Sequence, residues 1–257
     1  MNLVDSIKAR SIRFKAQHYN WFKDGKCLKD LKNINIGKRC FIVGNGPSLI
    51  AKDLERLHFN GEITFAFNRI YHIFNQTNWR PTYYISQDEK MLRGCKVEVD
   101  AIQAKIKFIP AEMKWYQGID IKRIRPFHIV NREKNGLPDF SEDISKEICN
   151  SNTVVYSAVQ IAVYMGFKEI YFIGVDHHFQ FSQNNKGEII VDNTVKDYFS
   201  DDYNKDKENL YIPNVEKSTL TYIAMKKHCD ERGVKVYNAT RGGKLEVFPR
   251  VDFDTLF

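Results

Sequence analysis

FIVGNGPSL, residues 41–49, carries three apolar residues directly into Gly44-Asn45-Gly46-Pro47-Ser48. A strand that leaves its sheet through two glycines, an asparagine and a proline either stops at a turn or stops at a ligand. Glycine lets backbone approach another group closely, and the N–H groups of a helix opening behind such a turn point at anions. Pro47 suits the first turn of that helix, with Ser48 beside it as donor or acceptor. GNGPS lacks the third glycine of GxGxxG and the GK[S/T] of a P-loop. The spacing alone therefore leaves phosphate binding and a structural turn both open.

The chain around this stretch alternates short β-rich runs with helical and loop segments. Strands are expected at residues 40–43, 63–67, 82–86, 106–109, 127–130, 170–173 and 234–237. Several are apolar on both faces, as in a parallel sheet covered on both sides. TVVYSAVQIAVYM, residues 153–165, is apolar almost all round and reads as a buried helix. Residues 216–232 read as a later amphipathic helix stopped by Gly233. Alternating strands and helices imply an α/β fold, mostly parallel, with helices on both faces. Residues 177–212 are polar, charged and tyrosine-bearing, and follow a strand end. An irregular segment of that length reads as a lid.

The expected organisation is an N-terminal helical extension, residues 1–37, and one nucleotide-binding domain, residues 38–257, with the lid at 177–212. Within the extension, apolar Leu3, Val4, Ile7, Ile12, Phe14, Tyr19, Trp21 and Phe22 alternate with basic residues. That pattern suits a helix packed on the domain or on a second subunit. It also suits peripheral contact with a membrane surface through Lys8, Arg10, Arg13 and Lys15 beside Trp21 and Phe22. At 257 residues, 43% apolar and 13% aromatic, the chain is long enough for a full core. No apolar run approaches the ~20 residues that cross a bilayer, and the start reads as no secretory signal. The five cysteines are scattered with no CxxC pair, which suits reduced thiols and a cytoplasmic location, at most peripheral to the inner membrane. The net charge of +7 is spread along the chain without an arginine-rich run, so nucleic acid is not the expected partner. A nucleotide or an anionic lipid surface accounts for the charge equally well.

Polar residues recur at the expected carboxyl ends of the strands. Asn68 and Arg69 end the second; Ser86, Gln87 and Asp88 end the third; Asp176, His177 and His178 end the sixth. Open α/β sheets bind ligands at that edge. Taken singly, Asn68 and Asp176 can equally cap a turn or a helix.

These motifs together resemble a known group. GNGPSL, the strand end FNRIY, the helix beginning TVVY, then MGFKEIYFIGVD and the ending YNATRGGKLEVFPRVDF are similar to the bacterial lipooligosaccharide sialyltransferases. They are more similar still to the Maf-type (flagellin-glycosylation, MptE-like) domain family of polysaccharide-locus proteins, over roughly residues 38–254. The resemblance implies a Rossmann-like sheet that binds a CMP-activated sugar. It places Gly44, Asn45 and Gly46 along phosphate and ribose, and Asn68 on phosphate or sugar, with Arg69 where the sialyltransferases carry glutamine. Thr153 falls near their donor-contacting serine-threonine pair, and His178 near a tyrosine that supports the leaving phosphate. Their catalytic histidine aligns near Glu216, a departure from the pattern.

Sugar transfer from a nucleotide needs a base for the acceptor hydroxyl and donors for the departing phosphate. The candidate bases are His177, His178 and Glu216. Histidine is the easier base near neutral pH, and a glutamate would require burial. Tyr198, Tyr203, Tyr211 and Arg241 are the candidate donors, and the Arg241 turn is also a candidate for a sugar carboxylate. The expectation is an inverting, metal-independent glycosyltransferase with no cofactor, taking a CMP-linked donor and a glycan or glycolipid acceptor of a surface polysaccharide or lipopolysaccharide. Two alternatives stand beside it. One is a pterin-type pyrophosphokinase using ATP and magnesium, with Asp88 and Asp176 as metal ligands. The other is a non-catalytic nucleotide-sugar-binding protein of a glycan assembly complex, anchored by the basic N-terminal helix. A homo-oligomer is compatible with each of these readings.

Overall fold

The computed structural model describes residues 3–204 and 211–257. Seven strands form the central sheet: β1 (Arg39–Val43), β2 (Thr64–Phe67), β3 (Tyr83–Ile85), β4 (Ile106–Pro110), β5 (Ile124–Phe127), β6 (Glu169–Ile173) and β7 (Lys235–Asn238). They pair throughout in parallel, in the order β7-β6-β1-β2-β3-β4-β5. Successive residues of a strand feed opposite layers. Cys40 and Ile42 join Phe65, Phe67 and Phe108 in one core, while Phe41 and Val43 join Ala66, Tyr84 and Ile109 in the other. Both faces are thus buried, which is why the strands read as continuous apolar runs.

The helices are α1 (Leu3–Gln17), α2 (Lys23–Lys29), α3 (Ala51–Phe59), α4 (Glu89–Gly94), α5 (Lys96–Ala101), α6 (Ala111–Trp115), α7 (Val154–Tyr164) and α8 (Val215–Glu231). Nine residues of α7 are buried, so its all-round apolar surface has a partner on every side. Thr153 caps α7, and Gly233, at φ 62°, ends the turn after α8.

Three expectations need correction. The helix after GNGPS does not start at Pro47: Pro47 and Ser48 form a turn, and α3 opens at Ala51 with no side-chain cap on Ile50. The fifth strand lies earlier than 127–130, at Ile124–Phe127; Ile129–Val130 pairs separately with Ile148–Cys149. Pro126 is tolerated there because β5 is an edge strand. The long N-terminal helix breaks after Gln17 into a 3-10 turn, Tyr19–Trp21, and then α2. That break seats Tyr19, 2% exposed, in the core, where its hydroxyl donates to the Pro126 carbonyl at 2.7 Å. Gly25 is needed at this corner, since a Cβ there would meet the Tyr19 carbonyl oxygen at 2.4 Å.

The segment after β6 holds an antiparallel ribbon, Phe181–Gln183 with Ile189–Val191, and a 3-10 turn at Asp201–Asn204. Residues 205–210 of the expected lid lie outside the described residues. Among the described residues no helix is long and apolar enough to cross a membrane. From β1 the chain builds outward to β5, then returns to lay β6 on the other side of β1. The reversal falls between β1 and β6, so their carboxyl ends form the crevice where such sheets hold ligands.

Candidate functional site

A cleft of about 600 Å³ opens at that crevice. Its floor is Gly44-Asn45-Gly46 after β1, Asn68 after β2, Gln87 and Asp88 after β3, and Gly174 to His178 after β6. Thr153 at the start of α7 and Asn214 and Lys217 at the start of α8 form the walls. Tyr198, Tyr203 and Tyr211 come from the segment above.

The floor is built by backbone interlock. Gly44 N donates to Ile173 O at 2.8 Å, and Gly46 N to Gly174 O at 2.9 Å. A Cβ on Gly44 would lie 2.2 Å from the Gly174 oxygen, and one on Gly46 1.9 Å from Asp176 Oδ2. The glycines therefore serve first to let two strand-end loops touch. Ser48 turns inward and donates to Asp176 Oδ2 at 2.7 Å, which removes it from the cleft lining. Burial raises the Asp176 pKa, and the Ser48 hydrogen bond opposes that rise. Asn45 donates through Nδ2 to Phe67 O at 3.1 Å and to Tyr203 Oη at 3.3 Å. Its Oδ1 is buried without a partner among the described residues.

The neighbouring polar residues are held in place as well. Gln87 accepts from Ser157 Oγ at 2.7 Å and donates to Asn150 Oδ1 at 3.2 Å. Asn68, at φ 49°, accepts from Ser86 Oγ at 3.0 Å. Asp88 accepts from Met91 N at 3.0 Å and so caps α4; burial raises its pKa.

Two helix starts converge on the space. Thr153 Oγ1 accepts from Val155 N at 3.3 Å at the head of α7, and Asn214 Oδ1 from Lys217 N at 2.9 Å at the head of α8. Each helix start carries the positive end of a macrodipole and unpaired N–H groups. Among the described lining residues, Lys217 is the one lysine or arginine. An anion here would be met by backbone dipoles more than by side-chain charge.

The two histidines differ sharply. Thr219 donates its hydroxyl proton to Val215 O at 2.9 Å, so at 2.7 Å from His177 Nε2 it accepts, and His177 carries its proton on Nε2. The ring packs edge-on to Tyr222 at 5.3 Å, and burial lowers its pKa to about 4. His178 Nε2 lies 2.9 Å from Asp192 Oδ2. Asp192 is fixed in turn by Thr194 N, at 2.9 Å, and Thr194 Oγ1, and these bonds together with His178 lower its pKa. A carboxylate on Nε2–H leaves Nδ1 as the basic nitrogen of His178.

Tyr198 stacks on Tyr203 at 3.8 Å and 13°. Burial raises both phenol pKa values, so both hydroxyls stay protonated and can donate. Arg69 does not reach the cleft lining: it is 3% exposed and donates through Nη1 to Tyr203 O at 2.7 Å, tying the overlying segment to the end of β2. Phe199 N donates to Asn45 O at 3.1 Å, a second tie to the glycine turn.

Besides Ser48 and Arg69, two further sequence candidates stay outside. Glu216 is exposed on the first turn of α8 and does not line the cleft. Arg241 pairs with Asp53, at 2.8 and 2.9 Å, and with Asp254 at 2.9 Å, so it is not placed to take a sugar carboxylate. Its turn acts as a brace instead: Lys244 N donates to Asp176 O at 2.7 Å, and a Cβ on Gly243 would meet that same oxygen at 2.8 Å. Sequence reading passed over Asp192, Asn214 and Lys217. Asn214 had a local signal, an Asx residue just before an amphipathic run. Asp192 had none, because its role depends on His178, fourteen residues away.

Comparison with known proteins bears on family and fold. The sequence model of a family described as 6-hydroxymethylpterin diphosphokinase MptE-like matches residues 13–182. No curated protein matches the chain. Among solved structures, a Maf glycosyltransferase from Magnetospirillum magneticum AMB-1 is similar with a TM-score of 0.52 and 15% identity. The match covers 91% of this chain and 38% of that one, so this chain spans well under half of its neighbour's length. At that identity the likeness is one of fold.

Proposed function

The chain belongs to the MptE-like family, and from that premise we propose that it is an inverting glycosyltransferase using a nucleotide-activated sugar, with a CMP-linked acidic sugar as donor and a glycan or glycolipid as acceptor. The observation that carries this reading is that His178, in the lining of the same cleft as the Gly44–Gly46 turn and two helix starts, is backed by Asp192, which lies behind it outside the lining. In this reading the acceptor hydroxyl gives its proton to His178 Nδ1, and Asp192 stabilises the imidazolium that results. The acceptor oxygen bonds to the anomeric carbon as the carbon–oxygen bond to phosphate breaks on the opposite face. The phosphate leaves with the electron pair. The starts of α7 and α8, with the Tyr198 and Tyr203 hydroxyls, meet its charge. His177 is the weaker base, since a group with a pKa of about 4 has little affinity for a proton near neutrality.

The family description names a pterin diphosphokinase, and Asp88 and Asp176 do line the cleft. Magnesium bound with a triphosphate would draw on those two carboxylates. Each already holds the fold: Asp88 caps α4, and Asp176 joins the β1 and β6 loops through Ser48. Among the described residues no three His, Cys, Asp or Glu side chains converge on a metal position. Both carboxylates are thus engaged in holding the fold, and the transferase reading is preferred on the His178–Asp192 pair, which a phosphoryl transfer through magnesium would not call for.

Thermal denaturation with cytidine monophosphate, uridine diphosphate, or ATP plus magnesium separates the readings. Ligand at 100 times its Kd adds about 2.7 kcal/mol, which raises the midpoint of a chain this size by roughly 5–10 °C. That shift is expected with cytidine monophosphate in the presence of EDTA. A shift seen only with ATP and magnesium assigns the kinase reaction instead, and no shift with any nucleotide removes the nucleotide site.

A further inference from the structure

The structure carries a second surface, remote in sequence from the cleft residues. Ile7 and Phe14 stand two turns apart on α1, 59% and 51% exposed, with Ser11 between them on the same face. Ala9, Ile12 and Ala16 occupy the opposite face, and all three are half-buried. The helix thus turns apolar side chains both inward and outward. The outward stripe continues past the helix end: the His18 ring lies 4.6 Å from Phe14 and stacks on Trp21 at 4.1 Å, and Trp21 is 59% exposed. Arg10 flanks the stripe on one side and Lys8 and Lys15 on the other, by the 100° advance per residue of an α-helix. From residue 6 to 23 the chain has basic Lys8, Arg10, Arg13, Lys15 and Lys23 and no acidic side chain.

Beside α1 runs an open groove of about 550 Å³ between Lys8 and Lys15 on one bank and α6 on the other. Ile7, Ile12 and half-buried Trp115 line it with apolar surface, and Lys114, paired with Asp120 at 3.1 Å, completes its rim.

We propose that this face docks on an anionic lipid bilayer. Ile7, Phe14 and Trp21 enter the interfacial region, and the flanking cations meet lipid phosphates. An exposed apolar and aromatic stripe bracketed by cations on both sides, without an acidic residue, is complementary to such a surface and to few others. A second copy of this chain would bring the same positive charge to the contact. The Trp21 end of the face is anchored to the domain, because Tyr19, two residues before it, is buried and donates to the Pro126 carbonyl on β5. α6 begins directly at the carboxyl end of β4, the same edge of the parallel sheet at which the cleft opens. Docking therefore keeps the cleft near the bilayer.

Flotation of the full chain with phosphatidylcholine vesicles, with and without phosphatidylglycerol, tests the proposal. Binding is expected only with phosphatidylglycerol and is expected to weaken as salt rises. Neutralising Lys8→Gln and Lys15→Gln together should weaken it about 25-fold, fivefold for each charge at the ~1 kcal/mol a basic residue gains near such a surface. Phe14→Ala with Trp21→Ala should lower binding at least tenfold with the thermal midpoint unchanged. Of the three tryptophans, Trp21 and Trp115 lie on this face and Trp79 is 1% exposed, so a blue shift lost in Trp21→Phe reports insertion directly. Equal binding to neutral vesicles, or no binding to either, overturns the proposal. So does a concentration-dependent dimer that Phe14→Asp dissociates, which would assign the stripe to self-association.

Discussion

The floor and the roof of the cleft are built by different physics. Gly44 and Gly174 lock the floor together through backbone contacts too close for any side chain, and Gly46 leaves room for the Asp176 carboxylate. The roof, residues 179–204, is tied to the floor by a handful of bonds, Arg69 and Asn45 to Tyr203, Phe199 N to Asn45 O and Asp192 to His178, and is braced within itself by the Tyr198–Tyr203 stack. Its ribbon exposes Ile189, Ile190 and Val191 at about half their surface. The floor therefore contributes shape and stability, whereas the roof contributes titratable groups and donors whose loss the fold can survive. Placing chemistry on the weakly held region is consistent with a cleft that must open for its ligand.

The largest expected effect tests the floor. Gly44→Ala drives a methyl to within 2.2 Å of the Gly174 carbonyl oxygen, where only backbone could yield, and should cost about 3 kcal/mol in denaturant unfolding. Gly187→Ala, in the roof ribbon at φ 82° with open space around it, should cost only the ~1–2 kcal/mol of a left-handed backbone. Equal losses would erase the distinction. Next in size is His178→Ala, which should reduce turnover by about 10²–10⁴ with little change in melting; Asp192→Asn should move turnover in the same direction by less. A roof substitution that unfolds the chain would contradict the assignment.

His177 sharpens the boundary between the two regions. Its folded pKa of about 4 lies below the ordinary value of 6.5, so the unfolded chain takes up the proton first as pH falls. Its contribution is complete above pH 6.5 and is lost towards pH 4, by at most about 3 kcal/mol and less after solvent screening. Unfolding free energies between pH 7 and 4 should show this slope, and His177→Gln should remove it. The smallest effect belongs to Tyr198→Ala. Removing the stack should cost about 0.5–1.5 kcal/mol and speed hydrogen exchange in residues 197–204, with exchange in β1 and β6 unaltered.

The parts of the fold that sequence reveals are those that depend on local pattern. β1, β2 and β6 are legible because both faces are buried, and α7 because it is apolar all round. β5 is displaced because its IRPF run has a proline and little apolar signal; the α2 packing and edge position that rescue it are tertiary facts. The GNGPS turn is found, but Pro47 misleads, because the interlock with Gly174 takes up the residues that would have opened the helix. Cleft residues at strand ends follow from topology once the strands are known. Arg241 and Asp192 do not, since the partners that remove one from the cleft and give purpose to the other are distant in the chain.

The central claim is that the Gly44–Gly46 turn and the starts of α7 and α8 hold a nucleotide phosphate. Calorimetric titration of cytidine monophosphate in EDTA, into the native chain and into Asn45→Asp, tests it most directly. The expected result is saturable one-to-one binding that falls at least tenfold when a carboxylate replaces the amide, with circular dichroism unchanged. Undiminished affinity in Asn45→Asp, or no heat of binding in the native chain, would show that the phosphate does not lie there.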